Sequence, residues 1–464
     1  MPARSTSSAA ASRREFLSLT GAVAAGYWIA PEARGDDKPA TSANEEIRFA
    51  CIGIGGKGQS DSADAGRSGK VVAVADVDAN QLRRAEKGFE SAKQFSDFRR
   101  MFDELGHEFD AVTISTPDHT HVTAATLAMG MGKHCFCQKP LTRAIAEARL
   151  LGELARSQKV ATQMGNQGTA GDPLRKAAAF IKKGGLGTVK EVHVWTNRPV
   201  WAQGGNRPAG AKVPPHLSWD LWLGPSPARP YGAGYHPFAW RGFWDFGSGA
   251  LGDMACHTFN MPFMALALRD PASVQATTSG HNGDTFPKWS MIDFDFPARG
   301  ERGPVAVKWY DGGKLPDQGL FAGFRGEIKK NAEGQDEELP FKAVASGALV
   351  VGDEDSLYAT GDYCGAVQLK SGREVGEVAF EKSPGHFAEW VNAIKGGPAA
   401  VSNFPDYAGP LTETILLGNL AVWAADVAET PGKRIEWDPV KLVATNAPEV
   451  DQVIRPLYRP GWKV

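Results

Sequence analysis

Two patterns in the sequence predict an α/β domain with a parallel sheet, followed by a second domain that mixes helix and strand. Across residues 47–170 short apolar runs alternate with helix-length segments, the pattern of parallel strands joined by crossover helices. From residue 189 onward strand-like runs follow one another with fewer helices between them. A length of 464 residues is long for one domain and agrees with a division in two.

The first unit, residues 47–76, organises the rest. Residues 49–54 are an apolar run suited to a strand buried on both faces. The turn after it carries Gly53, Gly55 and Gly58 in G-x-G-x-x-G spacing. The first glycine permits a tight turn, the second lets the backbone approach a pyrophosphate, and the third lets the following helix pack on the strand. A phosphate placed there meets a helix N-terminus, whose free N–H groups and dipole favour an anion. A second apolar run, residues 71–75, ends in Asp76. An acid about 20 residues beyond such a loop accepts hydrogen bonds from adenosine ribose hydroxyls. A carboxylate there repels a 2′-phosphate, so NAD rather than NADP is the expected cofactor. With 53 glycines in the chain a chance match to the spacing is expected. The strand before it, the helix after it and the acid at the end of the next strand give the motif its weight.

The alternation continues. Residues 81–91 read as a helix and 109–116 as a strand ending in the turn Thr116-Pro117-Asp118-His119-Thr120-His121. That turn falls at the carboxyl edge of the sheet, where open α/β sheets bind ligands. A helix to Met131, a strand over 134–138 and the element Gln138-Lys139-Pro140 follow, with Lys139 emerging at the same edge. Residues 143–157 are helical and 160–164 form the next strand. The whole reads as a Rossmann domain over 47–170.

Composition narrows the function classes. A 42% hydrophobic and 22% charged chain is ordinary for a globular protein with a sizeable core. A formal net charge of -2 offers no basic field, so neither nucleic acid nor an anionic membrane is an expected partner. The five cysteines, 51, 135, 137, 256 and 364, are odd in number and scattered, so no disulfide framework and no metal site is expected. At the N-terminus Ser12-Arg13-Arg14-Glu15-Phe16-Leu17 precedes an uncharged stretch over 16–30. This is the layout of a twin-arginine export signal. The stretch is shorter than the roughly 20 residues that span a bilayer, so stable membrane insertion is not expected. The expected organisation is a signal over 1–35, a linker over 36–46, the cofactor domain over 47–170, a substrate and oligomerisation domain over 171–440 and a tail over 441–464. Export of a folded, cofactor-loaded protein to the periplasm is the implied route.

The glycine loop, Asp76, the Thr116-Pro117-x-x-x-His121 turn and Gln138-Lys139-Pro140 together resemble the glucose-fructose oxidoreductase/inositol dehydrogenase (Gfo/Idh/MocA) family. Residues 247–257, Gly-Ser-Gly-Ala-Leu-Gly-Asp-Met-Ala-Cys-His, match that family's second signature, an Asp and a His four residues apart after a glycine-rich approach. The resemblance implies an α+β C-terminal domain with a mainly antiparallel open sheet. It also implies a catalytic set of Lys139, Asp253 and His257, with Thr116, Pro117, His121, Gln138 and Lys139 joining the glycines and Asp76 around the cofactor. One position departs: the family has Glu before the Lys-Pro, and Gln138 removes that negative charge from beside Lys139.

The chemistry stands on its own. Positions i and i+4 of a helix share a face, so Asp253 and His257 can point into one pocket. Oxidising an alcohol needs a base for the hydroxyl proton, which His257 or Lys139 can supply, and Lys139 can instead hold the alkoxide; the resemblance implies His257 as the base.

In the second domain a helix over 173–183 leads to a strand over 189–196. Residues 195–244 then hold tryptophans 195, 201, 219, 222, 240 and 244 among His216, Tyr231, Tyr235, His236, Arg198, Arg207 and Arg241. Such a stretch is a carbohydrate platform, a packed core or a subunit interface. Strands are expected over 274–280, 290–296 and 305–310, loops over 312–347, and amphipathic helices over 386–394 and 411–427. The tail from residue 446 has the composition to embrace a partner subunit, and a homo-oligomer is expected. Three functions suit the pattern: an NAD-dependent oxidoreductase for a sugar, polyol or related cyclic alcohol, an NAD-dependent glycosidase or lyase working through a transient keto-sugar, and a non-catalytic cofactor-bound sensor.

Overall fold

A computed structural model describes residues 46–331 and 333–462. The twin-arginine stretch lies outside them.

The apolar runs of the first half become six parallel strands: β1 (Arg48–Ile52), β2 (Lys70–Ala75), β3 (Lys93–Phe95), β4 (Ala111–Ile114), β5 (His134–Cys137) and β6 (Thr162–Met164). Their order is β3-β2-β1-β4-β5-β6, a doubly wound sheet with its switch point between β1 and β4. The central strands are buried on both faces, which is why they read as continuous rather than alternating apolar runs. The helix expected over 81–91 is shorter and earlier, Ala79–Ala85, because Asp78 caps it by accepting from the Asn80 N–H at 2.8 Å.

The second half builds a nine-stranded sheet from β7 (Val189–Trp195), β8 (Ser273–Thr278), β9 (Ser290–Phe296) and β10 (Val305–Tyr310). A small exposed hairpin, β11 (Ile328–Lys330) and β12 (Asp336–Glu338), lies apart. The sheet is completed by β13 (Gly347–Gly352), β14 (Ser356–Thr360), β15 (Ala366–Leu369), β16 (Ile435–Asp438) and β17 (Val443–Ala444). Its order is β15-β14-β13-β7-β10-β9-β8-β16-β17, antiparallel except for the β7–β10 pair.

Late helices join the halves. The Trp390 ring of helix His386–Ile394 packs 5.9 Å from Phe49 of β1 and 5.7 Å from Phe136 of β5. Helix Gly409–Trp423 differs from the amphipathic helix expected over 411–427: every residue from 409 to 422 is buried, and it ends at Trp423. It is wedged between helix Ile145–Gln158 of the first domain and strands β8 and β9 of the second, so no face is left for water. A buried Arg149–Glu413 ion pair at 2.6 Å ties it across.

The tail folds back on its own chain. Arg459 reaches Asp220 at 2.6 Å, and Trp462 packs against Phe98 at 6.0 Å with the Arg99 guanidinium 3.9 Å from its ring. The tail's described residues thus touch both the first domain, at Phe98 and Arg99, and the tryptophan-rich stretch, at Asp220.

Candidate active site

The carboxyl edge of the six-stranded sheet faces the second domain across a cleft of about 410 Å³, a size in the range of small-molecule and cofactor sites. Gly53, Gly55, Asp76, Thr116, Pro117, Gln138, Lys139, Asp253 and His257 all line it.

The glycine loop is backbone set against backbone. Gly53 has φ +73, and a Cβ there would stand 2.8 Å from the Ser115 carbonyl. A Cβ on Gly58 would stand 1.8 Å from the Gly53 oxygen, so the helix Lys57–Ser68 approaches β1 only because position 58 has no side chain. Gly58 therefore serves packing and does not itself line the cleft. No side chain caps this helix. Asp76 braces the loop, accepting from the Ile54 N–H at 2.9 Å and from the Asp78 N–H at 2.9 Å. Burial pushes its carboxyl up to about 6, against the lowering effect of those N–H groups.

The turn after β4 divides its labour. Thr116 and Pro117 line the cleft, whereas His121 is fully buried, with Nδ1 2.9 Å from the Pro140 carbonyl and Nε2 2.8 Å from the Thr116 carbonyl. His121 thus ties the β4 turn to the Lys139-Pro140 element instead of facing the cofactor space. His119 ties the same turn to the second domain: its backbone N–H donates to the Phe246 carbonyl at 3.2 Å and its Nε2 lies 2.9 Å from the Trp222 carbonyl, with burial lowering its pKa to about 3. Asp118 accepts from Ser248 Oγ at 2.7 Å at the start of helix Gly249–Thr258.

That helix brings the second signature to Lys139. Lys139 Nζ lies 2.8 Å from Asp253 Oδ1 and 3.0 Å from the Asp253 carbonyl, and Arg241 Nε is 3.4 Å from the same carboxylate. Burial raises the Asp253 carboxyl, but the Lys139 ammonium and Arg241 guanidinium outweigh it and the group lies below its ordinary pKa. One turn on, His257 is buried, and its Nδ1 has no hydrogen-bond partner. Burial, reinforced by the neighbouring Lys139 charge, holds its pKa well below the ordinary value of 6.5, so it is a neutral imidazole. Its ring meets Tyr363 edge-on at 4.8 Å.

The tryptophan-rich stretch resolves into a packed lobe. All six tryptophans are buried, and Trp219, Trp222, Tyr231, Tyr235, Trp240, Phe243 and Phe246 form a small core of their own. Only Trp222 and Trp240 of the six reach the cleft. The lobe crosses to the first domain just past Asp76: Ala79 N–H donates to the His216 carbonyl at 2.9 Å, Ser218 N–H to the Val77 carbonyl at 2.9 Å, and His236 Nε2 lies 3.2 Å from Asp78 Oδ2.

These residues fit a dinucleotide. The uncapped helix and glycine loop suit the pyrophosphate, and Asp76 suits a ribose. Three cleft residues, Thr116, Trp222 and His257, carry buried polar atoms that lack any protein partner, the kind of atom a bound molecule satisfies. Among the described residues no group of three or more His, Cys, Asp or Glu side chains is placed to hold a metal ion. All five cysteines are buried free thiols. No described helix is long and apolar enough to cross a membrane.

Sequence reasoning missed Asp61 and Tyr363, and named Arg241 only among the polar residues of the tryptophan-rich stretch, not beside Asp253. Asp61 sits mid-helix among small polar residues, and Arg241 and Tyr363 lie in irregular segments that reach the cleft only through tertiary packing.

A doubly wound sheet whose glycine loop shares one cleft with a Lys–Asp pair and a neutral histidine defines a two-domain, dinucleotide-binding protein of oxidoreductase type. Residues 47–166 match the family model described as "Oxidoreductase family, NAD-binding Rossmann fold", and residues 178–331 match its partner, "Oxidoreductase family, C-terminal alpha/beta domain". The chain belongs to the Gfo/Idh/MocA family. Levoglucosan dehydrogenase of Pseudarthrobacter phenanthrenivorans is 26% identical over 192 residues, 41% of this chain and 41% of that protein. Inositol 2-dehydrogenase 4 of Saccharopolyspora erythraea is 30% identical over 102 residues, 21% of this chain and 30% of that protein. The alignments to the six curated relatives thus span between 26% and 44% of those proteins. Among solved structures, the WlbA dehydrogenase from Chromobacterium violaceum in complex with NADH and UDP-GlcNAcA shares the fold at a TM-score of 0.58 and 14% identity, over 86% of this chain and 97% of that one. Levoglucosan dehydrogenase in complex with NADH and levoglucosan does so at 0.53 and 15%, over 83% and 99%.

Proposed function

We propose that this protein is an NAD-dependent oxidoreductase acting at a CH–OH group of a sugar, polyol or related cyclic alcohol. The observation that carries the reading is a neutral His257 with an uncommitted ring nitrogen in the same cleft as the Lys139–Asp253 ion pair and the glycine loop. Bound NAD supplies the hydride acceptor. Gly53, Gly55 and Asp76 would hold the dinucleotide, and Thr116, Pro117 and Gln138 line the same cleft. His257 takes the hydroxyl proton: burial leaves the imidazole free to accept it, and the Asp253 carboxylate favours the imidazolium against the opposing effects of burial and Lys139. The Lys139 ammonium, fixed by Asp253, holds the oxygen as it gains charge. The names of the relatives, levoglucosan dehydrogenase and inositol 2-dehydrogenase, support the substrate class.

The test is a panel of free sugars, inositols and anhydrosugars with NAD or NADP, read by absorbance of the reduced nicotinamide. Reduction with at least one cyclic polyol, and with NAD over NADP, is expected. Turnover with NADP alone would refute the role given to Asp76. Release of phenol from aryl glycosides without net NADH would replace oxidation by the redox-assisted glycosidase or lyase reaction. An NAD-loaded protein inert to every substrate class would leave the sensor.

Export by the twin-arginine route is part of the same proposal, supported by Arg13-Arg14 and the apolar stretch after them. Replacing both arginines with lysine should strand the precursor in the cytoplasm, and wild-type protein found only in the cytosol would end the idea. A homo-oligomer remains the expected assembly, to be checked by light scattering.

A further inference from the structure

The charge missing at Gln138 is present 2.8 Å away. Asp61, on the helix after the glycine loop, is 1% exposed. Its Oδ2 accepts from Gln138 Nε2 at 2.8 Å and from Ser115 Oγ at 2.7 Å, and its Oδ1 accepts from Lys57 Nζ at 2.7 Å. One buried carboxylate therefore ties the phosphate-loop helix, the end of β4 and the end of β5 together. Gly165 presses on the other side: a Cβ there would meet Gln138 Nε2 at 2.4 Å. Because a carboxylate only accepts, the amide nitrogen of Gln138 must face Asp61. Its carbonyl accepts from the Lys139 backbone N–H at 3.3 Å, which leaves one amide N–H and one carbonyl lone pair uncommitted on a residue that lines the cleft.

We propose that Asp61 is a positioning residue of the cofactor site: it carries the negative charge that a glutamate before the Lys-Pro would carry, and it fixes Gln138 to present its remaining amide groups to the reactive end of the dinucleotide. Asp61 acts through Gln138 and Lys57 and does not itself line the cleft. The physical consequence is exclusivity. A glutamate at position 138 beside Asp61 puts two carboxylates in hydrogen-bond contact, so the pair shares one proton at lower pH and takes its second charge only as pH rises.

The other titratable groups around Asp61 stay silent at neutral pH. Burial holds the Cys51 thiol at about 11 and Cys137 well above its usual value, and lowers His386 to about 4. Lys57 is the paired cation. Lys139, the charged neighbour of position 138, is held by Asp253 at 2.8 Å, so an ionisation that Gln138→Glu introduces near neutrality belongs to the new carboxylate pair. Asp76 titrates in the same window, but in wild type and variants alike, so the ratio of variant to wild-type affinity at each pH is the quantity to read.

The experiment is calorimetric titration of NAD into wild type, Gln138→Glu, Asp61→Asn and the Asp61→Asn/Gln138→Glu double variant at about pH 5.5 and about pH 8. It needs no substrate, so its failure is separable from failure of the proposed reaction. Gln138→Glu should bind close to wild type at the lower pH, where the pair shares a proton, and roughly tenfold or more weaker at the higher. The double variant, again with one carboxylate, should recover most of that loss. A Gln138→Glu affinity ratio independent of pH overturns the proposal, as does a double variant as weak as Gln138→Glu at the higher pH. If Asp61→Asn proteins fail to fold, the two-pH comparison of Gln138→Glu decides alone.

Discussion

The two walls of the cleft are made of different material. The wall on the first domain is organised by main chain, a glycine loop and strand-end turns braced by Asp76 through N–H groups, with side chains such as Lys57, Gln138 and Lys139 set around it. The facing wall is side chains drawn from separate segments, with Arg198, Trp222, His236, Arg241, Asp253, His257 and Tyr363 spread over more than 160 residues of sequence. A main-chain wall can hold the parts every dinucleotide shares, because N–H groups and helix ends recognise phosphate whatever else is attached. A side-chain wall suits chemistry and selectivity. If that division holds, variants on one side should move cofactor binding and variants on the other should move turnover.

The largest effect should come from the side-chain wall and the lysine it captures. Lys139→Ala and His257→Ala should each lower kcat by about 10²- to 10⁴-fold, the range for loss of a proton-transfer or charge-stabilising group. NAD affinity measured without substrate should change by less than about tenfold, since neither removes a loop or ribose contact. Equal losses in kcat and in NAD binding would erase the distinction between the walls.

Next comes Gly58→Ala, a methyl group added behind the main-chain wall, between its helix and the glycine loop. A Cβ 1.8 Å from the Gly53 oxygen cannot be relieved by a side-chain rotation, so the helix or the loop must move. A stability loss of about 1–3 kcal/mol is expected from such overpacking, together with weakened NAD binding, both read by thermal unfolding with and without NAD. Unchanged NAD binding would mean that the loop geometry is not what holds the phosphates.

A smaller effect concerns pH. Burial places Asp76 at about 6, so it is ionised above that value and protonated below it. Charge-assisted hydrogen bonds to ribose hydroxyls are stronger than neutral ones, so NAD affinity should fall, by roughly tenfold or less, as pH drops through that value. Asp76→Asn should flatten the profile and relax the preference for NAD over NADP. A flat wild-type profile would show that Asp76 serves the loop rather than the ribose.

The same contrast explains what could be read in advance. The first domain was legible because its signals are local: apolar runs of strand length, glycines whose spacing reports backbone contact, and an acid closing the second strand. Lys139, Asp253 and His257 were legible only through two motifs in a familiar order, and nothing in their spacing announces that Lys139 meets Asp253 across 114 residues. His121 sits inside a motif yet serves as a turn brace, because its ring is consumed by two carbonyls that no sequence pattern specifies. The helix over 409–423 misled for a related reason: its composition mixes polar and apolar residues, but contact with both domains buries the polar ones too. Asp61 was invisible, since a carboxylate in a helix is ordinarily a solvated one.

The lobe over 196–248 offers the finest test, because it reaches from the side-chain wall back to the residues just past Asp76, Val77 to Ala79. His236 lies against Asp78 at 3.2 Å, and two main-chain hydrogen bonds, from Ala79 to His216 and from Ser218 to Val77, hold the same seam. Burial lowers the His236 pKa, so near neutrality the contact is a neutral imidazole on a carboxylate rather than a full ion pair. Such a bond contributes about 0.5–1.5 kcal/mol, and the main-chain bonds survive its loss. His236→Ala should therefore leave kcat nearly unchanged while NAD dissociates up to about tenfold faster, read by stopped-flow displacement. A gain in off-rate with no change in turnover would show that one lobe grips the cofactor at one end and shapes the reaction at the other. An off-rate identical to wild type would confine the lobe to the substrate side and return the whole grip on the cofactor to the main-chain wall.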